Sequence, residues 1–568
     1  MKRFDSRMQQ RVAWLLLAVI LIVYIVFMSQ QVLLRYDIFK ATAFDLGNMD
    51  QVLWNTLHGR LFQFTNQGAD WYGPPTRLAI HFEPIILPLS LLYLFQPQPR
   101  ILLIFQTLML AFGALPVFLL ARRRVVDLPL FATVMAAMYL FMPALLGVNL
   151  FDFHPLSLAT PLLLYAVLAI DCRRYVWGIV ALILAAACKE DVPLTVALLG
   201  LLLVCKYKLP PRLGTVLIVG GLLWSLLAFF VIIPHFYPGA QHNNYWYRYE
   251  TLGSSPGAAI VNILLHPWLL FTTFITLDRL YYLANLLRST GFLALLAPEW
   301  LLPALPALAI NLLSTDALLY SGVFQYNATI IPFIMLASIE GTHRILTLWH
   351  MWRGDFTPLL STKNIIVQQK TLLARFVREA SVRLLRQFQY KNLTDTLAQV
   401  GHRQWQRFGA TMIPLAKGLG KARLQQVLYG WLLAMCVLNF VIMAPPLSAF
   451  WPDHPLGSRE QHVEHLLAMI PSNASVSASS TLNPHLSQRL YITLFPEITF
   501  SSSVRQVNTV VQYIIVDLNS LFPEDRVKTT NELNQLVNSG QFRVLARAEG
   551  VVLLERAFHE RKVLSAEG

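Results

Sequence analysis

The sequence predicts an α-helical polytopic membrane protein that carries a small α/β domain at its C-terminal end. Three observations point there. Of 568 residues, 55% are hydrophobic and only 13% are charged, against about 25% charged in a soluble chain. Apolar runs of roughly 17–25 residues, the length that crosses a bilayer, recur as far as about Pro445. Beyond that point strand-like and helix-like stretches alternate instead.

The elements follow in order. The first apolar run covers residues 12–34, behind Lys2, Arg3, Arg7 and Arg11. Those cations hold the N-terminus in the cytoplasm. No small-residue cleavage site follows, so the run is an uncleaved helix and not a signal peptide. Residues 35–83 then lie outside. Residues 84–95 are apolar but short, which suits a re-entrant or interfacial helix. Runs at 101–120, 130–148, 156–170, 176–187, 192–205 and 213–233 cross alternately, with Arg122–Arg124, Arg173, Arg174, Lys206, Lys208 and Arg212 on the cytoplasmic turns. An aromatic external loop runs to about Pro256, and 258–277 lies in the interface. Runs at 280–297, 301–313, 327–339 and 427–444 complete about eleven spans, with the C-terminus outside.

Four domains result: a transmembrane core at 1–342, a basic cytoplasmic insert at 343–423, a last span at 424–445 and an extracytoplasmic α/β domain at 446–568. The insert sets Arg375, Arg378, Arg383, Arg386, Lys391, Arg403 and Arg407 against few acids, with Leu372, Leu373, Phe376, Val377, Leu384 and Leu385 at helical spacing. That pattern reads as amphipathic helices on the anionic cytoplasmic leaflet. Topology and anionic lipid therefore explain the net charge of +14 better than nucleic acid does, and no nucleic-acid partner is expected. The four cysteines lie in or beside apolar runs and outline neither a disulfide framework nor a metal site.

In the last domain, 474–478, 490–494, 510–517 and 542–546 alternate like strands, and 482–489 and 529–539 read as helices. No G-x-G-x-x-G, P-loop, G-x-S-x-G or metal-spaced His and Cys is present, so the domain reads as a scaffold or a guide for substrate.

The chemistry-bearing residues crowd one rim. Asp45 and Asp50 stand just past the first span, where a carboxylate is costly unless solvated, paired or used. His81-Phe82-Glu83 and Arg77 share their loop. Asp152-Phe153-His154-Pro155, Lys189-Glu190-Asp191, Tyr245-Trp246-Tyr247-Arg248 and Gln325-Tyr326 sit on later external turns. Each has a plain reading: an N-cap at Asp45, a turn before the next helix at Asp152–Pro155, a self-neutralised helix end at Lys189–Asp191, an aromatic belt at Tyr245–Tyr249. A transporter more often places its ionisable groups at mid-bilayer, on broken or repeated helices. Crowding at one rim favours chemistry at one face.

The ordered patterns F-D-L-G-x-x-D-Q-x-L-W-N-x-x-H-G (Phe44 to Gly59), H-F-E-P-I (from His81), D-F-H-P (from Asp152), K-E-D (from Lys189) and Q-Y-N-A-x-I-x-P (from Gln325) resemble a bacterial family of predicted membrane proteins, domain of unknown function 2079. The resemblance covers roughly residues 13–340. That family in turn resembles the GT-C glycosyltransferases, which carry an acidic motif on the first external loop. The resemblance implies transfer of a sugar from a polyprenyl-phosphate carrier to a lipid, glycan or protein acceptor at the outer face of the plasma membrane. Asp45 takes the position of the acidic catalytic residue. The usual acidic pair is adjacent or one apart, whereas here the second carboxylate waits until Asp50.

On this expectation Asp45 is the base of an inverting transfer, with Asp50 and Asp152 as the other catalytic carboxylates. Arg248, by its fork geometry, leads Lys189 and Arg77 at the leaving phosphate. His81, His154, Glu83, Gln325 and Tyr326 would line the substrate, and Tyr245 and Trp246 would stack on a sugar ring. A divalent ion (Zn, Mn or Mg) would find ligands in Asp45, His81, Glu83 and Asp152. The rivals are a transporter or flippase of lipid-linked glycans and a non-catalytic envelope assembly protein.

Overall fold

The computed structural model describes residues 2–66, 76–126, 128, 130–207, 209–236, 245–353, 420–502 and 507–557. Most of the expected basic insert, from 354 to 419, lies outside the described residues, as do 237–244 of the aromatic loop. The chain forms two compact units, Met1–Ile339 with Ala434–Gly568, and Glu340–Leu433. Within the second unit the described residues belong to the ends of two helices, Ile331–Arg353 and Lys421–Ser448.

The first helix runs unbroken from Lys2 to Asp37. It buries Leu17, Tyr24, Met28 and Val32, spaced to share one face, and leaves Leu15, Val19, Ile22, Val23 and Val26 outward. The buried face packs on the helices Arg100–Phe112 and Phe131–Leu140. Outward apolar side chains with an inward stripe are what lipid contact on one side requires.

Four helices among the described residues are long and apolar enough to cross a membrane: Met8–Asp37, Arg100–Arg124, Pro211–Phe236 and Lys421–Ser448. A fifth is a bent pair, Phe131–Leu140 and Pro143–Leu150, with a 44° break. Four more apolar helices have only 10–17 residues. The count of about eleven is therefore not reached by length. Proline is the main reason: Pro143 restarts a helix after the bend, and His266-Pro267 splits the expected 258–277 run into Pro256–Leu265 and Trp268–Phe274. Residues 84–95, expected as a re-entrant piece, form two short turns, Ile86–Ser90 and Leu91–Leu94.

The C-terminal domain opens with a helix, Ser458–Ala468, that the sequence reading missed. Its strands are β1 (Val476–Ala478), β2 (Ile492–Leu494), β3 (Thr499–Ser502), β4 (Val507–Val510), β5 (Tyr513–Asp517), β6 (Phe542–Ala548) and β7 (Val551–Arg556). The main sheet has the order β2-β1-β5-β7-β6. Strand β1 is parallel to β2 and β5, while β7 is antiparallel to β5 and β6. Glu549 and Gly550, at φ 51° and 82°, make the tight turn between β6 and β7. The expected helix at 482–489 is only a turn at Asn483–His485. The interior strand β7 was missed because Val551–Leu554 is buried on both sides and shows no alternation.

Both faces of this sheet are covered. Leu533 and its helix Pro523–Asn538 close one face. On the other face Val463, Leu466 and Ile470 pack with Leu482, Leu486, Val476 and Ile515. Phe39, from the loop after the first span, inserts into that second cluster. Its φ of 58° turns the chain sharply to put it there. Phe39→Ala is expected to destabilise the protein by about 3 kcal/mol or more. Thermal unfolding in detergent checks this, and a change below about 1 kcal/mol would mean that Phe39 does not staple the domain.

Candidate active site

Past Asp37 the chain turns through Phe39, and Thr42 starts a π-wound turn, Ala43–Gly47, that runs into the helix Asn48–Leu57. Such widened turns are rare and often functional. Asp45 sits at its centre. Its Oδ1 lies 2.8 Å from His154 Nε2, and its Oδ2 accepts from Thr42 Oγ1 at 3.3 Å. Those oxygens are thus engaged by side chains, so the carboxylate does more than cap a helix. The Asp45 side chain keeps 24% of its surface exposed.

Asp152 comes from a different turn to the same place. Its Oδ2 accepts from Thr42 N at 2.8 Å and from Thr42 Oγ1 at 3.1 Å. Its Oδ1 is 3.6 Å from Arg35 Nη2, and both side chains are buried. His154 is held from both sides: Nδ1 donates to the Asp152 carbonyl at 2.8 Å, and Phe151 stacks on the ring at 5.4 Å. Gln106 Oε1 accepts from His154 N at 3.1 Å and from Ser157 Oγ at 2.8 Å, pinning this turn to the helix Arg100–Phe112.

With Nδ1–H given to a carbonyl, a second proton on Nε2 makes an imidazolium that donates to Asp45. Burial opposes that charge, but the Asp45 carboxylate outweighs it and raises His154 above its ordinary value. Burial also pushes Asp45 up, but His154, then Arg77 and Thr42, pull it below the usual range. Asp152 goes the other way: burial raises it, the nearby Asp45 charge adds to that, and Arg35 offsets only part. Two carboxylates joined through one threonine thus have opposite tendencies.

Around this centre lie four ion pairs. Arg77 Nε is 2.7 Å and Nη2 3.4 Å from the two oxygens of Glu83, both residues buried. His81 Nδ1 meets Glu190 Oε1 at 2.8 Å, and Phe82 N donates to Glu190 Oε2 at 3.1 Å. Burial works against the Glu190 charge, yet His81 and Lys189 hold that carboxyl down at about 2. Tyr245 stacks on the His81 ring at 5.4 Å. Lys189 Nζ stands 3.7 Å from Asp191, and Arg248 Nη2 3.1 Å from Asp316. Arg248 also covers the rings of Tyr245 at 4.6 Å and Tyr247 at 5.5 Å. The charges of Arg248, Lys189 and Asp45 all act on Tyr326. Gln325 Oε1 is buried with no hydrogen-bond partner among the described residues.

Two expected residues stand apart. Trp246 donates to Gly253 O at 3.0 Å and packs on Tyr249 in its own loop. Asp50 is fully buried where the C-terminal domain meets the first loop, accepting from Tyr93 Oη and Ser487 Oγ, both at 2.5 Å, and from Gln488 Nε2 at 2.9 Å. Burial lifts its carboxyl to about 6, against the pull of those three donors. A raised acid holds its proton more tightly folded than unfolded. Its stabilisation is complete below the unfolded value near 3.8 and is lost as pH rises through about 6. Between those values the wild-type chain is expected to lose about 3 kcal/mol more than Asp50→Asn. Melting curves of both at pH 4 and pH 7 check it, and parallel pH slopes would sink the assignment.

The expected metal ligands do not assemble. Asp45 pairs with His154, Asp152 with Thr42 and Arg35, Glu83 with Arg77, and His81 with Glu190. No group of three or more His, Cys, Asp or Glu among the described residues is placed to hold an ion. The donor set does not fit a divalent metal, because each carboxylate is already engaged by a cation or a donor.

Two residues of the centre were missed in the sequence: Arg35 and Thr42. The signal for Arg35 was a cation at the end of the first apolar run away from the basic N-terminus, against the one-sided bias of positive charge. Thr42 carried none, since a threonine before a helix reads only as a cap.

A helical chain rich in apolar helices, with a charged, buried centre beside a small α/β domain, is what the fold and this geometry define. It belongs to the predicted membrane protein family DUF2079, whose model matches residues 35–388 and 421–553. Among solved structures it is similar to ArnT from Cupriavidus metallidurans bound to undecaprenyl phosphate, at 14% identity and a TM-score of 0.44, covering 95% of this chain and 97% of that one. Among curated proteins none matches.

Proposed function

We propose that the protein is a membrane glycosyltransferase that moves a sugar, with inversion, from a polyprenyl-phosphate carrier to a lipid, glycan or protein acceptor at the outer face of the plasma membrane. The observation that carries this reading is the Asp45 carboxylate. It is paired with His154, set among buried charges, and still partly open. An open carboxylate in such a place is suited to take a proton.

In this reading the acceptor hydroxyl attacks the anomeric carbon while Asp45 takes its proton. The new C–O bond forms as the C–O bond to phosphate breaks, and the electron pair leaves with the prenyl phosphate. The lowered pKa keeps Asp45 ionised, at some cost in basicity. The His154 imidazolium and Thr42 hold its oxygens in place. Asp152 orients Thr42 and, through its carbonyl, His154.

Charge developing on the leaving phosphate calls for fixed cations. Lys189, only loosely paired at 3.7 Å, and Arg248 lie on the Tyr326 side of Asp45. Arg77 is matched by Glu83, so it acts on the ionisation of Asp45 more than on a phosphate. Gln325 Oε1 is an acceptor for a sugar hydroxyl. The gathering of these groups at the ends of several helices favours transfer over transport.

The test is a mass comparison of envelope glycans and lipids between a deletion strain and the same strain carrying the wild-type chain. A restored mass difference of one sugar supports the reading and names the sugar class. Identical profiles reject it.

A further inference from the structure

We infer that the α/β domain is a working part of the site: its Asn483 latches the π turn that carries Asp45 and is a positioning residue for that carboxylate. Asn66 Nδ2 has two hydrogens and uses both, donating to Ala43 O at 3.1 Å and to Asn483 Oδ1 at 2.8 Å. Asn483 Nδ2 donates back to Asn66 Oδ1. Both amides are fully buried. At the far end of the same turn, a Cβ on Gly47 would stand 2.5 Å from Asn483 Oδ1 and 3.1 Å from Asn66 Nδ2. The reciprocal amide pair therefore touches the first and the last residue of the turn, with Asp45 between them.

The surroundings make the pair rigid. Ser480 Oγ accepts from Ala43 N at 3.4 Å. Thr65, next to Asn66, accepts from Ile492 N and donates to Ile492 O, both at 3.0 Å, so it extends the edge of β2. Gln51 ties Thr65 to Arg489 O, donating at 2.8 and 2.9 Å. Asp50 closes the seam through Ser487 and Gln488. A π turn persists only where its surroundings over-determine it. Most of what does so here comes from the 480–492 segment of the outer domain. Without the latch the turn is free to relax and carry Asp45 away from His154.

The geometric claim stands without the transferase reading, and only its effect on turnover rests on that reading. The test therefore has two arms, both on the full chain purified in detergent. In the first, Cys172, Cys188, Cys205 and Cys436 are replaced by Ala, Asp45→Cys is added, and the rate at which the introduced thiol reacts with a maleimide is followed. Asn483→Leu is expected to raise that rate tenfold or more, while a reporter made by Lys528→Cys on the outer domain reacts as before. Ser480→Ala, which removes one contact and leaves the amide pair, is expected to raise it two- to threefold and covers the case in which Asn483→Leu does not fold. Unchanged reactivity of the introduced thiol in whichever of these variants folds overturns the latch.

In the second arm Asn483→Leu is made on the Asp45 chain. It is expected to lower kcat at least tenfold with KM within twofold, and a change confined to KM overturns the positioning role. If the introduced thiol is unlatched as expected but the wild-type chain forms no glycan product, the latch stands and the transferase reading falls.

Discussion

Asp45→Asn is expected to lower sugar transfer by about 10³-fold, within the span that positioned general bases supply. The variant keeps the size and shape of the side chain and removes its proton affinity. It also takes away the charge that keeps His154 protonated, so the imidazole returns to the neutral form near pH 7. For that reason the structural cost is small, about 1 kcal/mol: His154 sheds its proton instead of remaining a buried, unpaired cation. Product formation and melting temperature measured on the same preparation separate the two effects. Full transfer by Asp45→Asn would remove Asp45 from the base role, and a large drop in melting temperature would make it a folding residue.

Arg77→Leu is expected to have the largest effect on stability, about 3–5 kcal/mol. The Arg77–Glu83 pair is bidentate and buried on both sides. Removing the cation leaves Glu83 charged in a place without water, or forces it to take a proton. Arg77→Met with Glu83→Leu removes both charges and is expected to regain most of the loss, since an apolar pair of similar volume carries no desolvation cost. Unfolding of the two variants in the same detergent checks this. Equal losses in the single and double variants would place the cost in packing and not in charge. Because Arg77 also helps to keep Asp45 ionised, the double variant is expected to stay folded yet work less well.

Much of the candidate centre was legible because its residues are chemically improbable where they stand. Carboxylates, imidazoles and cations are rare beside apolar runs, so Asp45, Asp152, His154, Arg77, Glu83, His81 and Lys189 stood out. The pairings were not legible. Nothing local says that His154 turns to Asp45 while His81 turns to Glu190. Those choices are made by tertiary packing across more than 100 residues of chain. Asp50 shows the same limit, since its partner Ser487 lies 437 positions away.

The fold divided likewise. The first helix, with no proline or glycine to interrupt it, matched its apolar run. Runs broken by Pro143 or Pro267 became bends and short pieces, because a missing N–H ends a ladder that hydropathy alone would continue. Strands β1, β2 and β5 fell where hydrophobic runs met turn residues, whereas β7 lacked the alternation that marks a half-buried strand.

The short apolar helices have a consequence for the lipid around them. Tyr175–Ala186 has 12 residues and rises about 18 Å, while a bilayer's hydrocarbon layer is about 30 Å thick. Val176, Trp177, Val180 and Ile183 point away from the protein, so in a bilayer this flank is expected to face acyl chains. Lipids there are expected to thin to meet it, with the headgroup plane drawn toward the protein's middle. Hydrophobic mismatch of this kind draws the polar end of a long-chain lipid inward while its tail stays in oil. It also ties the protein to the thickness of its host membrane, so that longer or stiffer acyl chains strain this flank and shorter ones relieve it.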